Sequence, residues 1–375
     1  MYEVKIIGVT EFKESRDLWN NLALEMYHPT IFCTWEWVYT WWEHFGEAYK
    51  PLILFVYEGT EVKGILPLTS HKGLFRNKWM TGRILDYCGS LEIFPDHLDI
   101  IASKEDAEHC TNAIFEFLSS EYKAWDVLLL SHISEESSLI SCLDKKEFPF
   151  DSERNVANVA PFTPLSGSFE DYIKKFDHKQ RYNIRRMKKK LYESQSIEYM
   201  SCNPPQNNDC LKTLFNLHEK RAREKNIIST FKGARIFNFH NALLERTSEN
   251  GWPWLRFLGN GKEIISVFYG FALNGSLFNY QVAHDPMWEK YSPGTVLLYC
   301  VIEDAFNNGC KEFDFLRGNE KYKSTWANSS RNLITLSIFN KTICGKITSQ
   351  TRYVKESFKR ILRMPKPNKI INNQE

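Results

Sequence analysis

Apolar residues in the first half of the chain follow helical spacing and strand-like runs in turn. They recur at helical spacing from Leu18 to Phe45. The next stretch, PLILFVYEGTEVKGILPLTS, predicts two strands that meet at a turn over Glu58-Gly59-Thr60. After an irregular stretch, KEDAEHCTNAIFEFLSSEY returns to helical spacing, and WDVLLLSHI has the composition of a buried strand. The predicted order is helices, a hairpin, a helix and a strand.

The second half repeats this order of elements. Helical spacing recurs in DYIKKFDHKQRYNIRRMKKKLYE and in CLKTLFNLHEKRAREKN. The stretch WLRFLGNGKEIISVFYGFALNGSLFNYQVA then predicts three strands, with turns at Asn260-Gly261 and Asn274-Gly275. A helix that begins at Ser292 and a strand in FDFLRG complete the repeat. The two halves resemble each other in the order of their elements more than in residue identity.

A meandering sheet followed by a helix and a strand, present twice, predicts an α+β protein of two tandem domains. Each domain is expected to contain a mostly antiparallel mixed sheet flanked by helices. We place the first domain at residues 1–155 and the second at 156–343, joined by VANVAPFTPLSGS at 156–168. Residues 344–375 are expected to form a basic helix and a disordered tail. That helix either docks on its own domain or makes a peripheral membrane contact.

Composition narrows the classes of function. The chain has 375 residues and a net charge of only +2, which argues against a chain-wide surface for DNA. The nine Cys are spaced singly, and we expect reduced thiols in the cytoplasm. The sequence shows no signal-peptide pattern, no apolar window of about 20 residues for a membrane helix, and no metal or dinucleotide motif. These observations favour a cytoplasmic protein that binds neither a metal nor a nicotinamide.

The start of the predicted helix at Ser292-Pro293-Gly294-Thr295 is a candidate anion site. Ser is a common N-cap, Pro suits the first turn, and Gly lets a ligand approach the backbone. The free N–H groups and the dipole of such a helix attract phosphate. The corresponding helix of the first half begins SKEDAEH, whose acidic residues would repel it. The second half is therefore the candidate for a phosphorylated cofactor, although an ordinary helix start has the same pattern.

Five polar residues lie close together at the end of the FDFLRG strand. They are Asp314, Arg317, Glu320, Tyr322 and Lys323. A turn cap at Asp314 or a surface ion pair between Arg317 and Glu320 would explain single members of the set. Their concentration at one strand end favours a functional site.

Acyl transfer to an amine or a hydroxyl group needs a proton acceptor, and three residues are candidates for it. Asp314 is the first, because the flanking Phe residues are expected to raise its pKa. Asp285, just after the strand LFNYQVA, is the second, and the neighbouring His284 is the third. The sequence alone does not choose among them.

A basic segment and a Trp-rich segment each have two interpretations. Residues 174–190 contain nine Lys or Arg and one acid, so they form either a solvated helix or a contact for an anion. Arg181 and Arg185 share one face and are the predicted contacts to a CoA phosphate, a sugar nucleotide, lipid headgroups or tRNA. The aromatic residues Trp35, Trp37, Trp41 and Trp42 either pack in the core or line a groove for an acceptor.

Several of these stretches together resemble a known family. They are YSPGTVLL, IEDAFNNG and FDFLRGNEKYKSTW near the C-terminus, FCTWEWVYTWWEHFG and GILPL in the first half, and FEDYIKKFDHKQRYNIRRMKKKL. The chain resembles, over roughly residues 15–335, the GNAT-superfamily acyltransferases of the cellulose-biosynthesis (CelD/BcsL) type. These are tandem-GNAT relatives of the Fem peptidyltransferases. The resemblance implies a GNAT-like fold in each half, with the first half lacking a cofactor site.

The resemblance also implies an activity, which is acyl transfer from acetyl-CoA or another acyl-CoA. The expected acceptor is an amino group on a small molecule, an amino sugar or a cell-surface polysaccharide precursor. Fem relatives instead take an aminoacyl group from tRNA, and the basic segment and the single Gly294 of the cofactor loop favour that alternative. A non-catalytic module in polysaccharide assembly is a third hypothesis. We expect the cofactor to lie in the second domain, with its reactive end facing the first.

By resemblance, Tyr322 is the general acid for the departing thiolate, and Lys323 or Arg317 holds the oxyanion or a negative acceptor. The expected cofactor contacts are Ser292, Pro293, Gly294 and Thr295. The residues expected to act in catalysis are Asp314, Asp285, Tyr322 and Lys323. Those expected to contact the acceptor are Arg181, Arg185, His284, Arg317, Glu320 and Trp326.

Overall fold

The computed structural model describes residues 1–74, 81–145, 148–202, 207–226, 229 and 231–350. Within these ranges, each helix is too short or too polar to span a membrane. The predicted tail after Met364 and most of the predicted basic C-terminal helix lie outside them.

The described residues form one thirteen-stranded sheet flanked by helices. The strands are β1 (Tyr2–Ile7), β2 (Lys50–Glu58), β3 (Glu61–Leu74), β4 (Thr81–Tyr87), β5 (Ile101–Ala102), β6 (Val127–Ser134), β7 (Asp151–Pro164), β8 (Glu198–Ser201), β9 (Pro253–Gly259), β10 (Ile264–Leu273), β11 (Ser276–His284), β12 (Glu312–Asp314) and β13 (Ser329–Phe339). The α-helices are α1 (Val9–Glu14), α2 (Arg16–Glu25), α3 (Trp35–Phe45), α4 (Ala107–Ser120), α5 (Ser138–Ser141), α6 (Phe169–Lys174), α7 (His178–Gln195), α8 (Asn207–Glu224), α9 (Ala234–Ser248), α10 (Pro293–Asn307) and α11 (Lys321–Trp326).

The two halves of the sheet have the same arrangement. In the first half β1 to β4 are antiparallel neighbours and β6 runs parallel to β4. In the second half β8 to β11 are antiparallel neighbours and β12 runs parallel to β11. The turn before β11 has positive φ at both Asn274 (48°) and Gly275 (84°), which an Asn-Gly pair tolerates. The predicted α+β class, with a large and mostly antiparallel sheet, is confirmed.

The last strand of each half lies in the other half. Strand β7 follows the first half in sequence, yet it pairs with β12 through Phe162–Pro164. Strand β13 follows the second half, yet it pairs with β6. Between these contacts β7 and β13 pair with each other along their length and join the two halves. Most of the segment 156–168, which the sequence predicted as a linker, is therefore central strand, and the boundary at residue 155 stays a prediction.

Two details of the helices differ from the prediction. The helix predicted over 171–193 is broken, because Asp177 caps a new helix by accepting a hydrogen bond from the backbone N–H of Gln180 at 2.7 Å. The Gln180 side chain accepts in return from the backbone N–H of Asp177 at 3.1 Å, which completes a capping box. Helix α9 was missed altogether, and it packs against α3 of the first half.

Most of the Trp-rich segment belongs to the core. Trp35, Trp37 and Trp41 are buried, and Trp42 is half-buried. The Trp37 ring lies 4.7 Å from Phe32 in its own half, and 5.4 Å from both Phe239 and Tyr280 of the second half. The core interpretation holds for these three residues, and α3 thereby ties the two halves together.

One pair of cysteines departs from the expected reduced state. Cys202, after β8, and Cys210, in α8, form a disulfide with a Cα–Cα distance of 6.6 Å. That distance lies within the range that a disulfide spans. The expectation that all nine thiols are free is therefore wrong for this pair, while Cys33, Cys88, Cys110, Cys300, Cys310 and Cys344 are free.

Candidate active site

Helix α10 begins without a side-chain cap. Ser292 lies in the left-handed region, with φ 52° and ψ 52°, and its hydroxyl makes no capping hydrogen bond. Pro293 is the first helical residue, and Gly294 follows it. A Cβ at Gly294 would stand 3.4 Å from Nδ1 of His284, so the glycine keeps open the space between the helix start and the end of β11. The orphan N–H groups of this first turn are the kind of donors that phosphate oxygens accept from.

A gap opens in the sheet beside this helix start. Strand β11 pairs with β12 only over Ser276–Phe278, because β12 ends at Asp314 while β11 continues to His284. Immediately after Phe278, a β-bulge places Asn279 and Tyr280 opposite Gly270 of β10. The Asn279 Oδ1 is buried and has no hydrogen-bond partner among the described residues. Beyond Phe278, the β11 edge that faced β12 has no paired strand among the described residues, and an extended ligand with amide groups can pair with such an edge.

Cationic side chains surround the same place. Lys190 of α7 and Lys290 lie 5.0 and 4.9 Å from the ring centre of Tyr291, just before the helix start. Burial, and then the charge of Arg221 in α8, lower the pKa of His284, which keeps its imidazole neutral near pH 7. The helix start therefore lies in a positive field that favours an anionic ligand.

Asp285 is held in an ion pair. Its Oδ2 lies 2.7 Å from Nζ of Lys220, and its Oδ1 accepts from the N–H of Met287 at 3.1 Å. Burial raises the pKa of Asp285, but these contacts outweigh it and leave the pKa below its usual value. A carboxylate so stabilised is a weak proton acceptor, which argues against Asp285 as the base.

Asp314 lies at the end of β12 in a buried charge cluster. It is 1% exposed, and its Oδ2 lies 3.1 Å from both Nε2 of His97 and Nη1 of Arg331. The His97 contact has an ion-pair distance but lacks the alignment of a hydrogen bond. Oδ1 accepts from the N–H of Leu316 at 2.7 Å.

Two opposing effects act on the pKa of Asp314. Burial raises it, but His97, the Leu316 N–H and Arg331 together leave it below its usual value. The expected upward shift from the flanking Phe residues is therefore wrong, because the sequence did not show the cations. Asp314 in turn raises the pKa of His97 against the effect of burial.

Arg317 connects this strand end to the first half. Its Nε lies 2.6 Å from Asp96 Oδ1, and its backbone N–H donates to Asp96 Oδ2 at 2.8 Å. Its Nη1 lies 3.0 Å from Nε2 of His132, whose pKa is lowered to about 4 by burial and by Arg317. His132 is therefore neutral and accepts the guanidinium N–H. Arg317 fixes the loop after β12 rather than pointing a free guanidinium at a ligand.

Lys323 also holds this loop. It is 4% exposed, and its Nζ donates to the carbonyl oxygens of Leu316 (3.2 Å) and Arg317. Its third contact is Glu320 at 3.1 Å. These three partners use all the donors of the ammonium group. We therefore give Lys323 a positioning role in place of the expected contact to an oxyanion.

The remaining predicted residues divide between surface and core. Tyr322 is 41% exposed, and partial burial and the charge of Glu320 raise the pKa of its phenol. Arg221 counteracts this shift, which places Tyr322 and His284 near the same cation. Trp326 is buried against Phe176, 5.2 Å between ring centres, and packs rather than binds. Arg185 and Glu320 are exposed, and Arg181 donates to the carbonyl of Lys174 at 3.3 Å.

The sequence pattern missed the residues of the first half that complete this site. They are Asp96, His97 and His132, and Arg331 of β13 joins them from the far end of the chain. The only signal was the polar run Asp96-His97 within the irregular stretch before β5.

Comparison with known proteins supports the fold and the class of enzyme. Residues 178–324 match a family described as an acetyltransferase (GNAT) domain. FemX has a similar structure, with 10% identity and a TM-score of 0.64 over 92% of this chain and 100% of that chain. A conserved protein of unknown function from Bacteroides thetaiotaomicron gives 8% identity and a TM-score of 0.58, over 91% of this chain and 100% of that chain.

A third solved structure is the C-terminal domain of a putative lysylphosphatidylglycerol synthetase from Agrobacterium fabrum. It gives 10% identity and a TM-score of 0.55, over 91% of this chain and 97% of that chain. At such low identity these structures show a shared fold alone. No curated protein matches the chain. The match to the acetyltransferase (GNAT) domain family at 178–324 spans the start of α10 and Asp314, and the predicted enzyme class, an acyltransferase, is confirmed.

Proposed function

We propose that the protein transfers an acyl group from acyl-CoA to an amino group of a small molecule or glycan precursor. The observation that carries this proposal is the uncapped start of α10 beside the gap that opens after Phe278. Phosphate groups of CoA would accept from the N–H groups of Gly294 and Thr295. The pantetheine amides would pair with β11 beyond Phe278, which directs the thioester toward Asp314.

Among the described residues of the first half, the corresponding helix start is poorly suited to a phosphorylated cofactor. Its helix α4 is preceded by Ser103, whose hydroxyl accepts from the N–H of Asp106 at 3.1 Å, and Glu108 adds negative charge to the first turn. Leu98 bridges to Ile133 of β6 and fills the space beside that strand. These features support a cofactor in the second half only, with its reactive end facing the loop that carries Asp96 and His97.

Acyl transfer further requires a proton for the leaving group. The bound thioester supplies an activated carbonyl, and the thiolate that leaves it must be protonated. Tyr322 is partly exposed and lies at the start of α11, in the electrostatic range of Arg221. We assign Tyr322 as the donor of that proton, which solvent then restores.

Gly294→Asp is expected to weaken acetyl-CoA binding at least tenfold. The added carboxylate would meet the phosphate at the same helix start and would also occupy the space toward His284. Titration calorimetry with acetyl-CoA measures the change. Gly8→Asp is the matched control. Gly8 is the N-cap of α1 and has open space around it, so the variant introduces the same charge at a distant helix start. Unchanged affinity in Gly294→Asp would contradict the cofactor site.

A tRNA-dependent aminoacyl transfer is the second candidate. The observation in its favour is the basic face of α7, where Arg185, Arg186, Lys189 and Lys190 are exposed, and Lys190 lies near Tyr291 just before the start of α10. Titration with aminoacyl-tRNA and with acetyl-CoA at two salt concentrations separates the candidates. Tight, salt-sensitive binding of the charged tRNA without binding of acetyl-CoA would replace the first proposal by the second. A chain that binds neither donor would leave only a non-catalytic role.

A further inference from the structure

Two cavities share part of their lining, and the smaller of them lies between the halves beside Asp314. The larger, of about 340 Å³, is lined by residues of the first half, including Asp99, Ser137 and Ala107. The smaller, of about 230 Å³, reaches the beginnings of β11 and β12 and is lined by Asp314. Tyr27, His28 and His97 line both cavities. A single small molecule of the size that such pockets hold can therefore extend from the first half to the strand end of the active site.

One buried polar atom along this path lacks a partner. Thr30, which lines the smaller cavity, is 2% exposed, and its Oγ1 has no hydrogen bond to the described residues. Buried polar atoms are normally satisfied, so Thr30 Oγ1 marks a place where a ligand atom would complete the hydrogen bonding. His97, which lines both cavities and is 6% exposed, has its Nε2 3.1 Å from Asp314.

Backbone strain concentrates around Arg317. Phe94 (φ 47°), His132 (59°) and Leu316 (55°) contact or adjoin Arg317, and His97 (50°), which lines both cavities, follows its partner Asp96. Such conformations cost about 1–3 kcal/mol each and persist where the surroundings enforce them. Arg317 supplies that enforcement, because it binds Asp96 on one side and His132 on the other. These contacts hold His97 beside Asp314.

The residues that line the cavities have groups suited to binding a hydroxylated amine. Asp99 accepts from Ser137 Oγ at 2.5 Å and from the N–H of Ile100 at 2.7 Å, which leaves lone pairs that can accept from the amino or hydroxyl groups of a ligand. Ser137 and Ser138 add hydroxyl groups to the same wall. Tyr27 is 56% exposed and offers a flat ring at the entrance, with Nζ of Lys104 at 4.9 Å from its centre. Carboxylate, hydroxyls and an aromatic ring together match the polar and apolar faces of an amino sugar.

We propose that these two cavities bind the acceptor, a primary amine on a hydroxylated ring of monosaccharide size, and that His97, held by Asp314, takes the proton that the amine loses. This inference rests on the proposed acyl transfer and adds the acceptor class, its binding site and the base. The amine, bound neutral, forms the new C–N bond with the thioester carbonyl. The C–S bond breaks, the N–H proton passes to the imidazole, and the thiolate takes a proton from Tyr322.

The binding site is tested by filling the larger cavity. Ala107→Phe places a ring in it, whereas Ala113→Phe adds the same ring six residues along α4 and outside both cavities. Calorimetric titration uses D-glucosamine, D-glucose and cyclohexylamine on the parent and on both variants. We expect glucosamine to bind the parent at least tenfold more tightly than the other two compounds, Ala107→Phe to lose at least tenfold of that affinity, and Ala113→Phe to retain it. Equal glucosamine binding by both variants, or no preference for glucosamine, would overturn the assignment.

The base is tested by His97→Asn. Asn tolerates the positive φ of this position, so the loop is expected to keep its shape. Glucosamine and acetyl-CoA should bind within threefold of the parent, while acetyl transfer falls by about 10²–10⁴. Transfer at the parental rate would remove His97 from the chemistry. If acetyl-CoA fails to bind the parent while Ala107→Phe still abolishes glucosamine binding, the donor assignment falls and the amine site stands.

Discussion

Asp314→Asn is expected to lower kcat/KM for acyl transfer at least a hundredfold while acetyl-CoA binding stays unchanged. Asp314 stabilises the imidazolium form of His97 from 3.1 Å away, and an amide of the same size cannot. Arg331 remains paired in this variant, because Glu312 also binds it, through Nη1 at 2.9 Å and Nη2 at 2.5 Å. The fall in kcat/KM therefore reports the lost contact with His97, and not an Arg331 charge left buried without a partner.

The pH profile separates this role from a merely structural one. Asp314 raises the pKa of His97, with a smaller contribution from Asp96 in the same direction and an opposing one from Arg331. Loss of the carboxylate should therefore move the acidic limb of kcat/KM to lower pH. Glu312→Gln is the control, because it removes the other acid on Arg331 without touching His97 and should leave that limb in place. An unmoved limb in Asp314→Asn would show that Asp314 does not act through His97.

The same ion pair has a consequence for stability. Because the pKa of Asp314 is lower in the folded state, its carboxylate adds to the free energy of unfolding above the pKa of the unfolded state, which is near 4. This stabilisation is lost as the pH falls through the pKa of the folded state. Because the pKa of His97 is higher in the folded state, its imidazolium adds fully to the free energy of unfolding below about pH 6.5. This stabilisation is lost as the pH rises through the pKa of the folded state. The pair therefore stabilises the parent most between about pH 4 and 6.5, and urea midpoints in this window should exceed those of Asp314→Asn.

Trp37→Ala is expected to cost about 3–5 kcal/mol of unfolding free energy, measured by urea denaturation. The Trp37 ring is fully buried among Phe32, Phe239 and Tyr280, so its loss leaves a cavity between the two halves. Trp37→Phe should cost much less, because Nε1 of Trp37 has no hydrogen-bond partner among the described residues and its removal forfeits none.

Trp42→Ala on the same helix is the control. Trp42 is only half-buried, so Trp42→Ala should lower the free energy of unfolding distinctly less than Trp37→Ala does. A loss below about 1 kcal/mol in Trp37→Ala would contradict the assignment of this residue to the shared core, for which deletion of a large ring costs several times more.

Local signals predicted the hairpins and most of the longer helices of this fold, but not β1, β4, β7, β8, β13 or α9. The Asn260-Gly261 and Asn274-Gly275 turns, the hairpin at Gly59 and the start of α10 all follow from a few neighbouring residues. The break before α7 was also encoded locally, in Asp177 and Gln180, but the basic run around it concealed the cap. Helix α10 and the strand that follows it placed Asp314 correctly at a strand end.

Long-range pairing limited the rest. Nothing near residue 156 or residue 329 indicates that β7 and β13 pair with each other, and the two Pro residues of β7 favoured a linker there. His97 and Asp314 come from different halves, so neither sequence neighbourhood contains the other charge. The direction of the Asp314 pKa shift depended on those missing partners. Roles that require partners distant in sequence therefore became visible only with the fold.

The exchange of β7 and β13 also sets an order for synthesis on the ribosome. The first half emerges early, yet one edge of β6 stays without its partner until β13, near the end of the chain, has been translated. An uncovered strand edge invites pairing with other chains, so the nascent protein passes through a stage at which its N-terminal half is prone to associate. Strand β13 then closes that edge and also pairs with β7, so its translation is a condition for joining the two halves around the proposed acceptor site.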